Sequence, residues 1–355
     1  TVSTVSLVSV VSGVLLMLIG IGVSRPILEL MDTPADVLDM AVLYLRLYFV
    51  GIPFFLIFNF GAAILRSVGD TRRPFYILVV AGVINTVLNL VLVICFGLGV
   101  EGVAIATAIA NMVSAVCIVV LLRREKGALQ LQFNHMRIYG KELRRMLQIG
   151  VPAGLQGMVF SLSNVVVQSA INGYGSAAIA GSAAAVNFEY YCYYIIVACN
   201  GAAISFIGQN YGAGKYDRVR RIFRICMLMG LVGCFAANAL FTWQTHFFLS
   251  FFTADPEVIH YGAIRMQGVL LFQFLACSYE ISGSALRGMG ESMLPTIMTV
   301  FGTCVLRMVW VFVVSPHYHG FAQLLQVYPL SWVLTGAMVL VAYHVRMKKL
   351  CAVRA

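Results

Sequence analysis

The chain has 355 residues, of which 61% are hydrophobic and only 11% charged, with a formal net charge of +10. Those proportions exclude a water-soluble globular domain and point to the lipid bilayer. The positive balance is dispersed over alternate loops without interleaved aromatic residues, which is the pattern of membrane orientation and excludes a nucleic-acid surface.

Apolar stretches long enough to cross a hydrocarbon core of about 30 Å as helices recur along the whole chain. They are expected at residues 4–23, 38–65, 75–96, 102–122, 146–171, 177–207, 222–250, 258–285, 295–314 and 324–345. Continuous apolarity, without the alternation of barrel strands, predicts an all-α membrane protein of about ten transmembrane helices.

The first span leads to a loop carrying Arg25, Glu29, Asp32 and Asp36. The second contains Arg46, the breaker Gly51-Ile52-Pro53 and Asn59, and ends in the polar turn Leu65-Arg66-Ser67-Val68-Gly69-Asp70-Thr71. Asn85 and Asn89 share one face of the third span, where interhelical hydrogen bonds are expected. Glu101 precedes the fourth, and a basic stretch follows it. A natural division is therefore an N-terminal lobe over 1–122, a cytosolic linker over 123–145 and a C-terminal lobe over 146–355. The linker's expected partner is anionic membrane lipid.

The fifth span opens with Gly150-Val151-Pro152, which like Gly51-Ile52-Pro53 is either a hinge or a packing kink, and carries Gln156, Asn164 and Gln168. The sixth holds Asn187, Glu189, Tyr190, Tyr191, Tyr193, Tyr194 and Asn200. Glu189 lies roughly 18 Å along its helix, near mid-membrane. A carboxylate at that depth is costly unless paired or wetted. With tyrosine faces around it, it can hold an organic cation, exchange protons, or form an ion pair with Arg307. Residues 208–214 are glycine-rich but lack the Gly-Lys-Ser/Thr ending and preceding strand of a nucleotide-binding loop.

Beyond Asp255 and Glu257, the eighth span contains Arg265, expected near the headgroups as an anchor or ion-pair partner, and Glu280, which shares a face with Gln273, Cys277 and Ser284. Its turn reads Leu286-Arg287-Gly288-Met289-Gly290-Glu291, and 221 positions separate Leu65 from Leu286. The same spacing relates Asp36-Val37 to Glu257-Val258 and Asn59 to Glu280. A helix, a charged turn and the next helix are thus duplicated, as in many transporters. The spans at 146–171 and 177–207 map before residue 1, so two further helices, about 75 residues, are expected to precede this chain in a six-plus-six arrangement.

His317 and His319 flank Tyr318, but two imidazoles without a third ligand make a poor metal site. The nine cysteines form no CxxC pair and read as packing residues. Twenty of the 24 Lys and Arg residues fall on one set of alternate loops and the C-terminal tail, which predicts that these face the cytosol. No clustered catalytic set and no cofactor motif is found, so no enzymatic activity is expected.

The turn from Leu65 to Thr71 with Pro74, the segment Ala183-Ala184-Ala185-Val186-Asn187-Phe188-Glu189, the loop Gly208-Gln209-Asn210-Tyr211-Gly212-Ala213-Gly214 and the segment Ser282-Gly283-Ser284-Ala285-Leu286-Arg287-Gly288-Met289-Gly290 together resemble the MATE family of multidrug and toxic-compound extrusion transporters. The resemblance implies two six-helix lobes in a bacterial inner membrane. It also implies export of small cationic amphiphiles in exchange for Na⁺ or H⁺ by rocking about a central cavity, by a protein expected to be a monomer. On that expectation Glu189, Glu280, Tyr190, Tyr193, Asn187, Asn59 and Arg307 are the substrate or coupling-ion residues. The alternative is a lipid-linked oligosaccharide flippase on a related scaffold, which needs a strongly cationic cavity; only Arg46, Arg265 and Arg307 can contribute to one here.

Overall fold

The computed structural model describes residues 2–30, 35–132, 136–317 and 320–352, without the side chains of 35, 36, 128, 351 and 352. Asp32, Tyr318, His319 and Arg354, and the side chains of Asp36 and Cys351, therefore lie outside the described residues. Among those described, ten helices are long and apolar enough to cross a membrane. They are α1 (Val2–Leu30), α2 (Val37–Ser67), α3 (Arg72–Cys95), α4 (Val100–Arg124), α5 (Gly140–Asn172), α6 (Ser176–Gly212), α7 (Tyr216–Trp243), α8 (Pro256–Gly288), α9 (Met293–His317) and α10 (Phe321–Leu350). The protein is an all-helical, multi-pass membrane protein.

Several helices outrun the apolar stretches that announce them. α4 continues through Arg123 and Arg124, and α5 begins at Gly140, ahead of Arg144 and Arg145. Long cationic side chains let a helix continue through the headgroup layer while their charges stay in water. The chain divides into two compact units, Thr1–Arg145 and Met146–Ala355.

In the first unit α2 packs against both α1 and α4, and α3 lies against α4. A Cβ placed on Gly13 would come 2.7 Å from the Pro53 backbone, so α1 and α2 cross with their main chains nearly touching. Asn85 donates to Thr107 at 3.3 Å and Asn89 to Asn85 at 3.1 Å, joining α3 to α4. The segment after α4 folds back within the same unit: the buried Thr4 hydroxyl donates to the Arg137 carbonyl and accepts from the Tyr139 amide.

In the second unit α6 and α8 run side by side in the same direction, and two glycine pairs set their approach. A Cβ on Gly181 would lie 2.7 Å from the Gly262 nitrogen, and one on Gly288 would lie 3.4 Å from the Gly208 nitrogen. Without side chains at these points the helices come close enough for groups between them to meet. α7 and α10 flank the pair, and α9 packs on α10. α5 is joined to the others by side-chain hydrogen bonds: Arg287 to Gln156 at 2.6 Å, Arg307 to Asn164 at 2.8 Å, and Ser292 to the Ile149 carbonyl at 2.9 Å.

The duplication is visible in the backbone. α2, α3 and α4 shifted by 221 positions overlay the sequence ranges of α8, α9 and α10. Their turns close identically: the Asp70 amide donates to the Leu65 carbonyl and the Glu291 amide to that of Leu286, with Gly69 at φ +91° and Gly290 at φ +87°. Only glycine takes this left-handed conformation without penalty, which explains why each copy keeps it. Each turn is also fastened by charge. Arg73 pairs with both Asp70 and Glu125, whereas Glu291 pairs with Arg346 at 2.8 Å. Positions 125 and 346 are repeat equivalents, so the same fastening is made with opposite signs.

Candidate functional site

Between α5, α6, α8, α9 and α10 lies a cavity of about 380 Å³. Three charged side chains line it: Glu189 of α6, Arg265 of α8 and Arg307 of α9. Glu189 accepts two hydrogen bonds from Arg265, at 2.6 Å from Nε and 3.0 Å from Nη2. The ion pair weighed as one role for Glu189 is thus made with Arg265 and not with Arg307, and of the two roles expected for Arg265, anchor or ion-pair partner, it takes the second, away from the headgroups. Arg265 is only 4% exposed. The reason is local: Gly181 and Gly262 bring α6 and α8 together, so the guanidinium one turn past Gly262 faces α6 rather than the membrane surface. A forked pair satisfies both charges where an unpaired one would be expensive.

α8 loosens into a 3-10 segment at Leu270–Leu275, and there the Gln273 side chain donates to the Glu189 carbonyl at 3.0 Å. Of the four tyrosines near Glu189, only Tyr190 and Tyr193 line the cavity. Tyr191 and Tyr194 are 62% and 64% exposed, on the opposite side of α6, because helical geometry turns the second and fifth residues after Glu189 away from it.

Arg307 is 1% exposed and meets no carboxylate among the described residues within ion-pair distance. Its Nη1 donates to Asn164 at 2.8 Å and its Nε to Ser331 at 3.4 Å. Its Cζ lies 4.5 Å from the centre of the Tyr328 ring and 5.0 Å from that of Phe160. The same Tyr328 ring is 5.4 Å from the Arg265 Cζ. The aromatic faces supply attraction that helps hold a cation away from water.

Glu280 borders a second cavity, of about 390 Å³, whose wall also contains Gln156, Phe160, Tyr193 and Arg287. It accepts from the Asn200 amide at 2.9 Å and from the Tyr193 hydroxyl at 3.3 Å. Tyr193 and Phe160 thus line both cavities.

The other expected site residues fall elsewhere. Asn187 donates to the Ala183 carbonyl of its own helix and lines a separate hollow with Phe252 and Val258. Asn59 belongs to the first unit and donates to the Phe55 carbonyl, again within its own helix. By contrast Gln168 does line the first cavity, its amide donating to Asn172, while His317 faces the Val313 carbonyl. Among the described residues no group of three or more His, Cys, Asp and Glu is placed to hold a metal. Sequence reasoning missed Tyr328, Ser331 and Trp332, which lie in an apolar stretch and give no polar-residue signal. The pairing of Arg265 could have been sought from the glycines preceding it and Glu189.

Comparison with known proteins agrees with this architecture. The MatE family model matches residues 1–91 and 152–313. The chain is similar to the probable multidrug resistance protein YoeA of Bacillus subtilis, 31% identical over 314 residues covering 86% of this chain and 67% of that protein. It is 25% identical over 290 residues to YpnP of the same organism, also described as a probable multidrug resistance protein, covering 81% of this chain and 64% of that one. The chain thus spans about two thirds of the length of these relatives. The fold is shared with the Vibrio cholerae MATE transporter VcmN, crystallised in its bent form, at a TM-score of 0.85 and 19% identity over 99% of this chain and 80% of that one.

Proposed function

Since this chain belongs to the MatE family of multidrug and toxic compound extrusion transporters, we propose that it is a secondary active exporter of amphiphilic organic compounds in a bacterial inner membrane. Export is driven by inward Na⁺ or H⁺ through alternating access, and the basic loops and C-terminus face the cytosol.

The observation that carries this reading is the pair of adjoining cavities in the second unit, each with a mainly apolar wall set with a few charged and hydrogen-bonding side chains. The larger aromatic surface borders the first cavity, where Tyr190, Tyr328, Trp332 and Phe160 offer faces to a flat substrate. The second holds Glu280, whose hydrogen bonds come from neutral groups and whose cavity it shares with Arg287. That makes Glu280, rather than the guanidinium-paired Glu189, the better coupling carboxylate, because a proton or Na⁺ arriving there need not displace a forked guanidinium. Tyr193 is the link: substrate against its ring in one cavity bears on the hydroxyl bonded to Glu280 in the other.

The expected cargo of organic cations receives less support, since the carboxylate expected to hold them is already neutralised by Arg265. The flippase alternative fares no better. Of the two guanidinium groups in the cavity one is consumed by Glu189, which leaves a single cation for a pyrophosphate.

The test is dye efflux from cells producing the protein, with Na⁺ and proton gradients collapsed separately. Efflux should stop with one collapse, and Glu280→Gln should abolish gradient dependence. Efflux indifferent to both collapses rules out secondary antiport.

A further inference from the structure

The geometry points to an anion dock at Arg307: we propose that the first cavity takes an aromatic amphiphile by its acidic group, a sulfonate, carboxylate or phosphate, with the ring system against Tyr328 and its neighbours. The inference deepens the transport reading and rests on it only for the claim that the bound compound is cargo.

Three observations carry it. First, the charges on the wall do not balance. Glu189 and Arg265 neutralise each other through a fork, and Arg307 remains, so the lining carries one net positive charge. A guanidinium in a nearly dry site without a counter-ion is costly to keep, and one satisfied only by neutral oxygens retains its affinity for an anion. Asn164 and Ser331 engage Nη1 and Nε, leaving further donors of the fork uncommitted to either bond. Planar guanidinium donors match carboxylate, sulfonate and phosphate oxygens in pairs.

Second, the helix is reshaped at this residue. Arg307 sits in the single α turn Leu306–Val309 between two π turns, Val300–Val305 and Trp310–Val314. π turns insert a residue into the ladder, re-aim the side chains around them, and concentrate at functional sites. The repeat-equivalent helix α3 has a π turn at Val91–Cys95, but residues 79–84, equivalent to the first of those two, are regular helix.

Third, the polar groups are private to this unit. Subtracting 221 from Arg307 and Arg265 gives Thr86 and Tyr44, so neither cation belongs to the duplicated framework.

The probe is dansylate, a naphthalene sulfonate whose emission reports an apolar environment, titrated into the protein in nanodiscs of uncharged phospholipid. Its displacement is compared for naphthalene-2-sulfonate and for (2-naphthylmethyl)trimethylammonium, which carry the same ring and opposite charges. The sulfonate should displace it at least about tenfold better, the range that a hydrogen bond to a charged group supplies. Arg307→Gln should weaken dansylate binding by a similar factor and Arg307→Lys by less, while Arg25→Gln, a surface change, should leave it alone. Equal displacement by the two ions, or binding unmoved by Arg307→Gln, overturns the dock. If Arg307→Gln does not fold, the competition on the unaltered protein still decides. Charge-selective binding without gradient-driven efflux would sink the transport reading and keep the dock; gradient-driven efflux with equal displacement would do the reverse.

Discussion

At the scale of single residues, the fork between Glu189 and Arg265 has a sharp energetic signature. Removing one partner strands the other in a mostly buried site, since the Arg265 and Glu189 side chains are 5% and 14% exposed. Glu189→Gln or Arg265→Gln alone should each cost about 3–5 kcal/mol, and the double replacement should cost clearly less than the sum. Thermal unfolding in detergent, followed by the loss of monodisperse protein, measures both. Asp70, in the turn between α2 and α3, offers a different handle. Burial pushes its carboxyl up, but hydrogen bonds from the side chain and backbone of Arg73, together with that residue's charge, outweigh the burial and hold it below the usual carboxylate range. A group whose pKa is lowered by folding stabilises above its unfolded value and stops doing so as pH falls through the folded one. The turn should therefore hold at neutral pH and loosen only below about pH 4. Amide exchange at Gly69 and Asp70, corrected for intrinsic rate, should show that step, and Asp70→Asn should abolish it.

At the scale of elements, glycines decide which helices can share a cavity. Gly181 and Gly262 allow the contact from which Glu189 and Arg265 reach each other, so Gly181→Val should separate α6 from α8, lower the unfolding temperature and break the fork together. A cysteine pair engineered across the crossing, failing to oxidise in the valine variant, would record the separation. Here the sequence was informative but incomplete. Span number and turn positions were legible because bilayer thickness fixes helix length and because glycine at positive φ cannot easily be replaced. The partner of Glu189 was not, because depth along a helix says nothing about rotation about its axis, and the glycine crossing that sets the rotation is a tertiary fact. Nor could hydropathy reveal that α8 slackens at Leu270–Leu275 or that α9 is interrupted by π turns, since an average over a mainly apolar span carries no information on which carbonyl each amide bonds.

At the scale of the whole molecule, orientation and duplication are the governing facts. If the loops rich in Lys and Arg are cytosolic, a single cysteine introduced at Lys215 should resist an impermeant maleimide in intact cells, while one at Glu257 should react. The reverse pattern would invert the topology and with it the direction of transport. The two fastened turns show how far the duplicated halves have drifted. Glu125 answers Arg73 in the first, and Arg346, at the equivalent position, answers Glu291 in the second. A chimaera that put α4 and its following Glu125 in place of α10 would set carboxylate against carboxylate at Glu291. The halves are twins that have since changed their locks: each keeps the shape of the other's key, and neither key now turns in the other's door.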